Sequence, residues 1–197
     1  MKPGARDSWE ARYARSEGTV WSGLPHPLLA ELTADLDPGI SVDIGCGEGA
    51  DTLWLAERGW HAHGVDFSAT AIGRARRAAK EQDAANAWFH ICDLESFSPK
   101  DPVDLVTAFF FHPRGAGARQ AFLETAASWI GPGGHLLLVA HGDRRQGSTR
   151  GPTPVHPGED RRILEGIGNW RFLRVEKRLR DGTSSLRRDS VVFAQKE

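Results

Sequence analysis

Cysteine, tyrosine and methionine are scarce in this chain: 197 residues include two cysteines, one tyrosine and one methionine. The two cysteines, Cys46 and Cys92, have neither a metal-binding nor a redox spacing, so we expect two reduced thiols and no metal site. No apolar run approaches the roughly 18 residues that a membrane helix needs. The N-terminus lacks the apolar core of a signal peptide. These absences predict a cytoplasmic protein that does not act on a membrane.

An excess of charge of either sign is also absent, because 25 basic side chains face 26 acidic ones and the formal net charge is −1. A nucleic-acid-binding protein usually carries a basic patch or a basic overall balance, and nothing global of that kind is seen. The length of 197 residues predicts one domain with a core large enough to need no disulfide staples.

Short apolar runs alternate with helical patterns from residue 40 to residue 141. Strands at this spacing, separated by helices, predict a parallel sheet with helices on both faces. Two further strand-like runs flank Asp181-Gly182, and Asp-Gly between such runs predicts an antiparallel hairpin at one edge. The predicted strands lie at about 41–44, 61–65, 87–92, 103–109 and 135–140, and two helices, at about 8–15 and 27–36, precede them.

The most informative stretch is Ile40 to Gly49, which reads ISVDIGCGEG. A short buried strand there runs into Gly45, Gly47 and Gly49. Alternate glycines after a strand indicate that backbone approaches a ligand closely, because a Cβ at these positions would collide with it. In an open parallel sheet, ligands bind at the carboxyl ends of the strands. This loop therefore predicts the ligand site.

Three acids stand at the predicted carboxyl ends of consecutive strands. Asp43 lies just before the glycines, where a carboxylate opposes a pyrophosphate and suits an ammonium group. Asp66, one strand later, suits the two hydroxyls of a ribose. Asp93, after the third strand, is placed to accept from the amino group of a base. An adenosine that carries an amino acid and no phosphate is S-adenosylmethionine (SAM).

Other interpretations of the same residues remain open at this stage. The segment GCGEGA also fits the G-x-G-x-x-G/A pattern of nicotinamide-dependent oxidoreductases, although no Tyr/Lys catalytic pair is evident beside the single tyrosine, Tyr13. Asp66 could serve as an acid at a helix N-terminus, and Asp93 as a plain turn residue. A domain that binds SAM without turnover is a third possibility.

The ordered motifs VDIGCGEG, GVDFS, CDLE and GPGG resemble those of class I SAM-dependent methyltransferases. The resemblance runs from about residue 40 to the C-terminus and implies a Rossmann-like seven-stranded sheet of order 3-2-1-4-5-7-6. The N-terminal segments W-x-x-R-Y and V-W-S-G-x-P-x-P are similar to those of small bacterial methyltransferases of the methyltransferase-domain 25 and tellurite/thiopurine type. In that group the N-terminal segment folds over the cofactor.

The resemblance implies a layout and a cofactor site for this chain. Residues 1–38 would form a helical cap, 39–141 the SAM-binding core, and 142–197 a substrate-side loop, short helix and end hairpin, all within a single domain. Phe67 would stack on adenine, Leu94 would donate its backbone N–H, and Trp9 and Tyr13 could line the pocket. The expected cofactor-binding residues are Asp43, Gly45, Cys46, Gly47, Gly49, Asp66, Phe67, Ser68, Asp93, Leu94, Phe109, Trp21 and Arg12.

The methyl acceptor is predicted to be a small molecule, since the strand ends are rich in aromatic and histidine residues and no long basic groove is evident. His112 and His141, at the ends of the fourth and fifth strands, are the candidate catalytic groups, because histidine titrates near neutral pH. The amino-methylating motif N/D-P-P-Y/F is absent, which argues against DNA-adenine or glutamine-amide methylation. A monomer or homodimer is expected, and the basic loop with Arg144, Arg145 and Arg150 could gate an acidic substrate.

Overall fold

The computed structural model describes residues 5–143, 151–180 and 187–197. Seven strands form one sheet of order β3-β2-β1-β4-β5-β7-β6, which confirms the predicted architecture. The helices are α1 (Ala5–Arg15), α2 (Pro27–Thr33), α3 (Ala50–Glu57), α4 (Ala69–Glu81), α5 (Ala118–Trp129) and α6 (Pro157–Ile167). The strands are β1 (Ile40–Ile44), β2 (His61–Asp66), β3 (Ala87–Ile91), β4 (Val103–Phe109), β5 (Ile130–His141), β6 (Trp170–Leu179) and β7 (Arg188–Lys196).

Strand direction follows the sequence pattern. β1 pairs with β2, and β2 with β3, in parallel, as expected for strands linked by helices. β7 pairs antiparallel with both β5 and β6, so the chain ends in the predicted antiparallel hairpin. The predicted turn at Asp181-Gly182 falls outside the described residues.

The chain divides into two compact units, residues 1–103 and 104–197. The first contains a buried cluster in which Ile72 and Ala75 of α4 pack with Leu53 of α3 and Phe89 of β3. Small side chains on α4 allow this close approach of helix to sheet, as the alanine pattern predicts. Ser68 caps α4 through its hydroxyl, which accepts from the backbone N–H of Ala71 at 3.1 Å.

The second unit is built on β5 and β7, whose paired central residues are almost fully buried. An ion pair holds α5 to α6: Arg119 donates from Nε and Nη2 to the two carboxylate oxygens of Asp160, at 2.9 and 2.6 Å. Asp160 is buried, so the two-point pairing satisfies a carboxylate that would otherwise be costly to bury.

Several boundaries differ from the sequence-based prediction, and α2 ends at Thr33 where the prediction extended it to about residue 36. α1 begins at Ala5, earlier than the predicted start near Ser8. β5 begins at Ile130 and includes the Gly-Pro-Gly-Gly segment that was predicted to be a turn. A positive φ of 82° at Gly133 accommodates the chain there. Glycine and proline mark a local backbone irregularity, but their presence does not decide whether strand pairing stops.

Within the described residues, no helix is long and apolar enough to cross a membrane. The same part of the chain contains no group of three or more histidine, cysteine or acidic side chains arranged to hold a metal ion.

Gly49 is required by packing in the first unit. Its φ is 86°, and a Cβ there would lie 2.7 Å from the Phe89 ring and 2.9 Å from the Ala75 methyl group. We therefore expect Gly49→Ala to lower the free energy of unfolding by about 2–4 kcal/mol, from backbone strain and overpacking together. Chemical denaturation measures the change. The matched control is Gly73→Ala on the exposed face of α4, where nothing lies within 4 Å and helix propensity should add about 0.5–1 kcal/mol. A loss below 0.5 kcal/mol at Gly49 would contradict this account.

Candidate functional site

The glycine loop of the first unit is organised by the carboxylate of Asp66. One oxygen accepts from the backbone N–H of Gly47 at 3.1 Å and the other from that of Ser68 at 2.8 Å. Burial raises the pKa of Asp66, while these two N–H groups oppose the rise. A carboxylate has about four acceptor positions, so Asp66 can still accept from hydroxyl donors. This geometry suits a ribose.

Asp43 lies at the opposite edge of the same loop, near the end of β1. It is buried, and one of its oxygens accepts from the Thr52 hydroxyl of α3 at 2.9 Å. Gly47 and Gly49, which follow Asp43 in the loop, have different surroundings. Gly47 faces Tyr13 and Trp21, and a Cβ there would lie 2.9 Å from the Tyr13 hydroxyl, whereas Gly49 faces the Phe89 ring. Gly47 is therefore the position where the loop backbone lies against the N-terminal segment.

A buried clamp missed by the sequence analysis holds the N-terminal segment to this loop. Glu48, inside the glycine loop, accepts from the backbone N–H of Val20 at 2.9 Å and of Trp21 at 3.1 Å. Arg74 of α4 donates to Glu48 at 2.7 Å. The guanidinium also donates to two main-chain carbonyls of the N-terminal segment, those of Tyr13 at 2.9 Å and Ser16 at 2.7 Å. A glutamate between two glycines was the only sequence signal available for this clamp.

Four N-terminal side chains, which the resemblance predicts to line the pocket, contact one another next to the clamp. The rings of Trp9 and Trp21 lie 5.9 Å apart, and the Arg12 guanidinium sits 4.9 and 4.8 Å from their centroids. Tyr13 accepts from the Trp21 indole N–H at 3.1 Å. Burial raises the pKa of Tyr13 to about 12, so its hydroxyl stays protonated. Trp21 remains 46% exposed, which leaves an aromatic surface open to a ligand.

Asp93 and Phe67, predicted to hold the adenine, share one basic neighbour. Arg6 of α1 donates to the Asp93 carboxylate at 2.7 Å, and its guanidinium lies 5.8 Å from the Phe67 centroid. Both side chains of the Arg6–Asp93 pair are about half exposed, so water screens the pair and its net contribution is small. Leu94 begins a single 3₁₀ turn after Asp93.

Two of the remaining predicted cofactor residues have other surroundings: Cys46 contributes to packing and Phe109 lies in the second unit. Cys46 packs against the buried cluster of Leu53, Ile72, Ala75 and Phe89. Burial raises the pKa of its thiol well above the usual value, so it is not a reactive thiolate. Phe109 ends β4. Arg144, Arg145 and Arg150 lie outside the described residues.

The two predicted catalytic histidines meet in the second unit. Nε2 of His112 and Nδ1 of His141 are 2.8 Å apart. Burial, reinforced by His141 and Arg119, lowers the pKa of His112 to about 4. Burial and the charge of Arg180 also lower the pKa of His141. Both rings are therefore neutral at pH 7.

A strained residue stands beside this pair. Phe110, the residue after β4, has a φ of 56°, and its N–H donates to the Val139 carbonyl at 2.7 Å. A positive φ is unfavourable for a bulky side chain by about 1–3 kcal/mol and persists only where neighbours enforce it. The Phe110 ring contacts the His141 ring at 4.7 Å and the Arg180 guanidinium at 4.6 Å. Strain of this kind is common at functional sites.

Comparisons with known proteins agree with the family resemblance of the sequence motifs. A profile of the methyltransferase domain family matches residues 42–134. The chain is 32% identical over 149 residues to a 2-heptyl-1-hydroxyquinolin-4(1H)-one methyltransferase of Mycobacteroides abscessus, covering 73% of this chain and 66% of that protein. It is 29% identical to a probable thiol methyltransferase of Arabidopsis thaliana, covering 84% of this chain and 73% of that protein.

A solved structure shows the same fold. Magnesium protoporphyrin IX methyltransferase from Synechocystis, crystallised with bound SAM, superimposes with a TM-score of 0.71 at 22% identity. The alignment covers 96% of this chain and 91% of that one. The matched segment spans slightly under two thirds of the Mycobacteroides relative, so the activity of that whole protein does not transfer directly.

The clamp should control the order of the N-terminal segment. Because Glu48 and Arg74 are largely buried, removing either partner leaves an uncompensated charge, at a cost of about 3–5 kcal/mol. We expect Glu48→Ala and Arg74→Met to accelerate hydrogen exchange at the amides of Val20 and Trp21 by at least tenfold. The control, Arg77→Met, removes an exposed charge from the same helix. Unchanged exchange at both amides would show that the clamp does not order the segment.

Asp51 should make stability depend on pH. Burial raises its pKa to about 6, against the hydrogen bond that it accepts from the His26 N–H at 2.6 Å. The folded state therefore holds this proton more tightly than the unfolded chain does. The stabilising contribution is complete below about pH 4 and is lost as the pH rises through 6, by about 1–3 kcal/mol. In urea titrations from pH 4 to 7, Asp51→Asn should flatten this decline and the exposed control Asp35→Asn should not. An unchanged slope in Asp51→Asn would contradict the assignment.

Proposed function

We propose that the chain is a class I SAM-dependent methyltransferase that transfers the methyl group of SAM to a small-molecule acceptor and releases S-adenosylhomocysteine, as the family profile, the sequence relatives and the shared fold support. SAM supplies an activated methyl group on a sulfonium, so the protein contributes chiefly alignment and exclusion of water. The observation that carries the proposal is the buried Asp66 carboxylate at the end of β2. It is held by two backbone N–H groups and retains acceptor positions for a ribose.

The first unit supplies the proposed cofactor contacts. Asp66 accepts from the ribose hydroxyls, and the backbone of Gly45 and Gly47, together with Asp43, holds the amino-acid portion. Phe67 packs against the adenine, while Asp93 and the backbone of Leu94 bind its polar edge. Because Arg6 pairs with Asp93 and lies near Phe67, it would shift when adenine binds there.

The N-terminal aromatic residues are proposed to cover the bound cofactor. Trp9, Tyr13 and Trp21 form a continuous ring cluster, with Arg12 stacked against the two indoles. The Arg12 guanidinium is the cation of this cluster and suits the carboxylate of the amino-acid portion. The clamp fixes this segment against the glycine loop, which gives the cluster a defined position relative to Gly47.

The acceptor is proposed to be a small molecule, methylated on oxygen or on sulfur. The name of one relative specifies a 1-hydroxyquinolone and that of another specifies a thiol. A net charge of −1 for the chain lacks the basic balance that is typical of nucleic-acid-binding proteins. His112 and His141 are proposed as the groups that serve the acceptor, since they follow β4 and end β5.

Cofactor binding tests the role of Asp66. Titration calorimetry should show that wild type binds S-adenosylhomocysteine and that Asp66→Ala binds it about 100-fold more weakly, because two hydrogen bonds to a charged acceptor are lost. Asp66→Asn, which keeps one acceptor oxygen, should fall between them, and the exposed control Asp37→Ala should match wild type. Heat with NADP and none with S-adenosylhomocysteine would instead support the nicotinamide interpretation.

Turnover needs a separate measurement. Release of labelled product from methyl-labelled SAM would be followed with a panel of phenols, N-hydroxy heteroaromatics, thiols, amines and chalcogen oxyanions. We expect methylation of at least one small acceptor, reduced at least tenfold by Asp66→Ala at subsaturating SAM. Tight S-adenosylhomocysteine binding with no turnover of any acceptor would favour a domain that binds SAM without catalysis.

A further inference from the structure

A charged ion pair and an aromatic ring lie next to the histidine pair of the second unit. Arg180 donates from Nε to a carboxylate oxygen of Asp189 at 2.9 Å, and a second contact joins Nη2 to the other oxygen. Asp189 is buried, so its carboxylate holds the guanidinium in a fixed position. The guanidinium lies 4.6 Å from the Phe110 ring, which in turn contacts His141. The strained backbone of Phe110 is thereby kept beside the imidazole by an ion pair.

The hydrogen bond within the pair determines which nitrogen can take a proton. The backbone N–H of His141 points to Nε2 of His112 at 3.5 Å, which favours Nε2 as an acceptor. Nδ1 of His141 then carries the hydrogen of the 2.8 Å bond, and Nε2 of His141 carries a lone pair. Among the described residues neither Nε2 of His141 nor Nδ1 of His112 has a hydrogen-bond partner. The pair thus presents one proton acceptor and one N–H donor.

Such a pair can pass a proton through itself. A proton taken at Nε2 of His141 allows Nδ1 to give its hydrogen to Nε2 of His112, and Nδ1 of His112 then releases its own hydrogen to water. Each ring ends neutral, in the other tautomer, and a return transfer through solvent resets the pair. The net step removes one proton from the acceptor while the acceptor gains a methyl group, and the methyl carbon's bond to sulfur breaks.

We propose that the His141–His112 pair accepts the proton of a hydroxyl acceptor and that Arg180, fixed by Asp189 and stacked on Phe110, is the residue that positions it. This inference rests on the proposed methyl transfer and selects between its two acceptor classes. A thiol loses its proton more readily than a hydroxyl and an amine has its own lone pair, whereas a phenol or aliphatic hydroxyl needs a base. A preorganised proton-accepting pair therefore favours oxygen over sulfur.

The charges around the pair predict the direction in which each substitution shifts the pKa of His141. Arg180 and Arg187 lower the pKa of His141, whereas Asp189 raises it. Arg119 acts on His112 in the same direction as Arg180 acts on His141, and Asp160 holds Arg119 in turn. The two members of one ion pair, Arg180 and Asp189, thus push the proton affinity of His141 in opposite directions. A purely structural ion pair would not produce opposite shifts when its members are replaced in turn.

The test compares phenols with thiophenols that carry the same ring substituents, with product release from labelled SAM measured between pH 5 and 9. With phenols, the kcat/KM of the wild type should fall at low pH, which gives the profile an acidic limb. Arg180→Met should move that limb to higher pH and Asp189→Asn to lower pH, while Arg180→Lys, which keeps the charge, should restore it. His141→Asn should lower kcat with phenols by 100-fold or more and leave thiophenols within about threefold. The exposed control Arg174→Met should match wild type.

Each result bears on the proposal. Methylation of thiophenols without phenols, equal losses for both series in His141→Asn, or limbs that move in the same direction in Arg180→Met and Asp189→Asn would overturn it while the methyltransferase assignment stands. Thermal melting of every variant separates these outcomes from unfolding, and Arg180→Lys provides the informative second variant if Arg180→Met does not fold. Binding of S-adenosylhomocysteine without turnover of either series would overturn this inference, and the further absence of turnover with every acceptor of the wider panel would overturn the proposed function as well.

Discussion

The arrangement of the first unit depends on the hydrogen bonds and the ion pair that the Glu48 carboxylate makes. This carboxylate sits inside the glycine loop, accepts from two backbone amides of the N-terminal segment and pairs with Arg74, which also binds two carbonyls of that segment. A short helix such as α1 is marginal on its own in water. Its position over the loop is therefore defined by hydrogen bonds to main-chain groups, which depend little on which side chains the segment carries.

Buried and partly buried carboxylates recur as the means by which this chain positions its loops. Asp66 orders the glycine loop, Asp51 anchors the entry to α2, and Asp160 and Asp189 each hold one arginine. A buried carboxylate is costly unless donors surround it, so each of these groups restricts its partners to a narrow range of positions. Sites built this way hold their geometry before a ligand arrives, and preorganisation is the main contribution a protein makes to transfer of an already activated methyl group.

The two units carry different chemistry. The first presents acceptors and aromatic rings suited to a nucleoside with an amino-acid tail, and the second presents neutral imidazoles beside a fixed guanidinium. The lowered pKa of both histidines keeps them uncharged at neutral pH, which is the state in which they can accept a proton. One relative is named for a hydroxyquinolone and another for a thiol, so the choice of acceptor depends on the site and not on the fold.

Local sequence patterns predicted most of the fold and, within the candidate site, those features that depend on a few neighbouring residues. Ser68 was identified as a helix cap and Asp66 as a strand-end acid, because both signals are contained within a few residues. The strand order followed from family resemblance and is confirmed. Gly49 was assigned to ligand approach, yet its Cβ space is filled by the Phe89 ring, since one glycine pattern serves both loop turning and tight packing. No pattern could pair Glu48 with Arg74, 26 residues away.

By itself the sequence determined the type and order of the elements, the glycine loop and the acids at the ends of the first three strands. Periodicity, capping and turn chemistry act over a few residues and can be read directly from the chain. Only the tertiary structure decided which of these groups meet: Arg6 with Asp93, Glu48 with two distant amides, and His112 with His141 beside Arg180 and Phe110. Hydrogen bonds and charge interactions act over a few ångströms in space, whatever the separation along the chain, so partners and pKa values depend on packing.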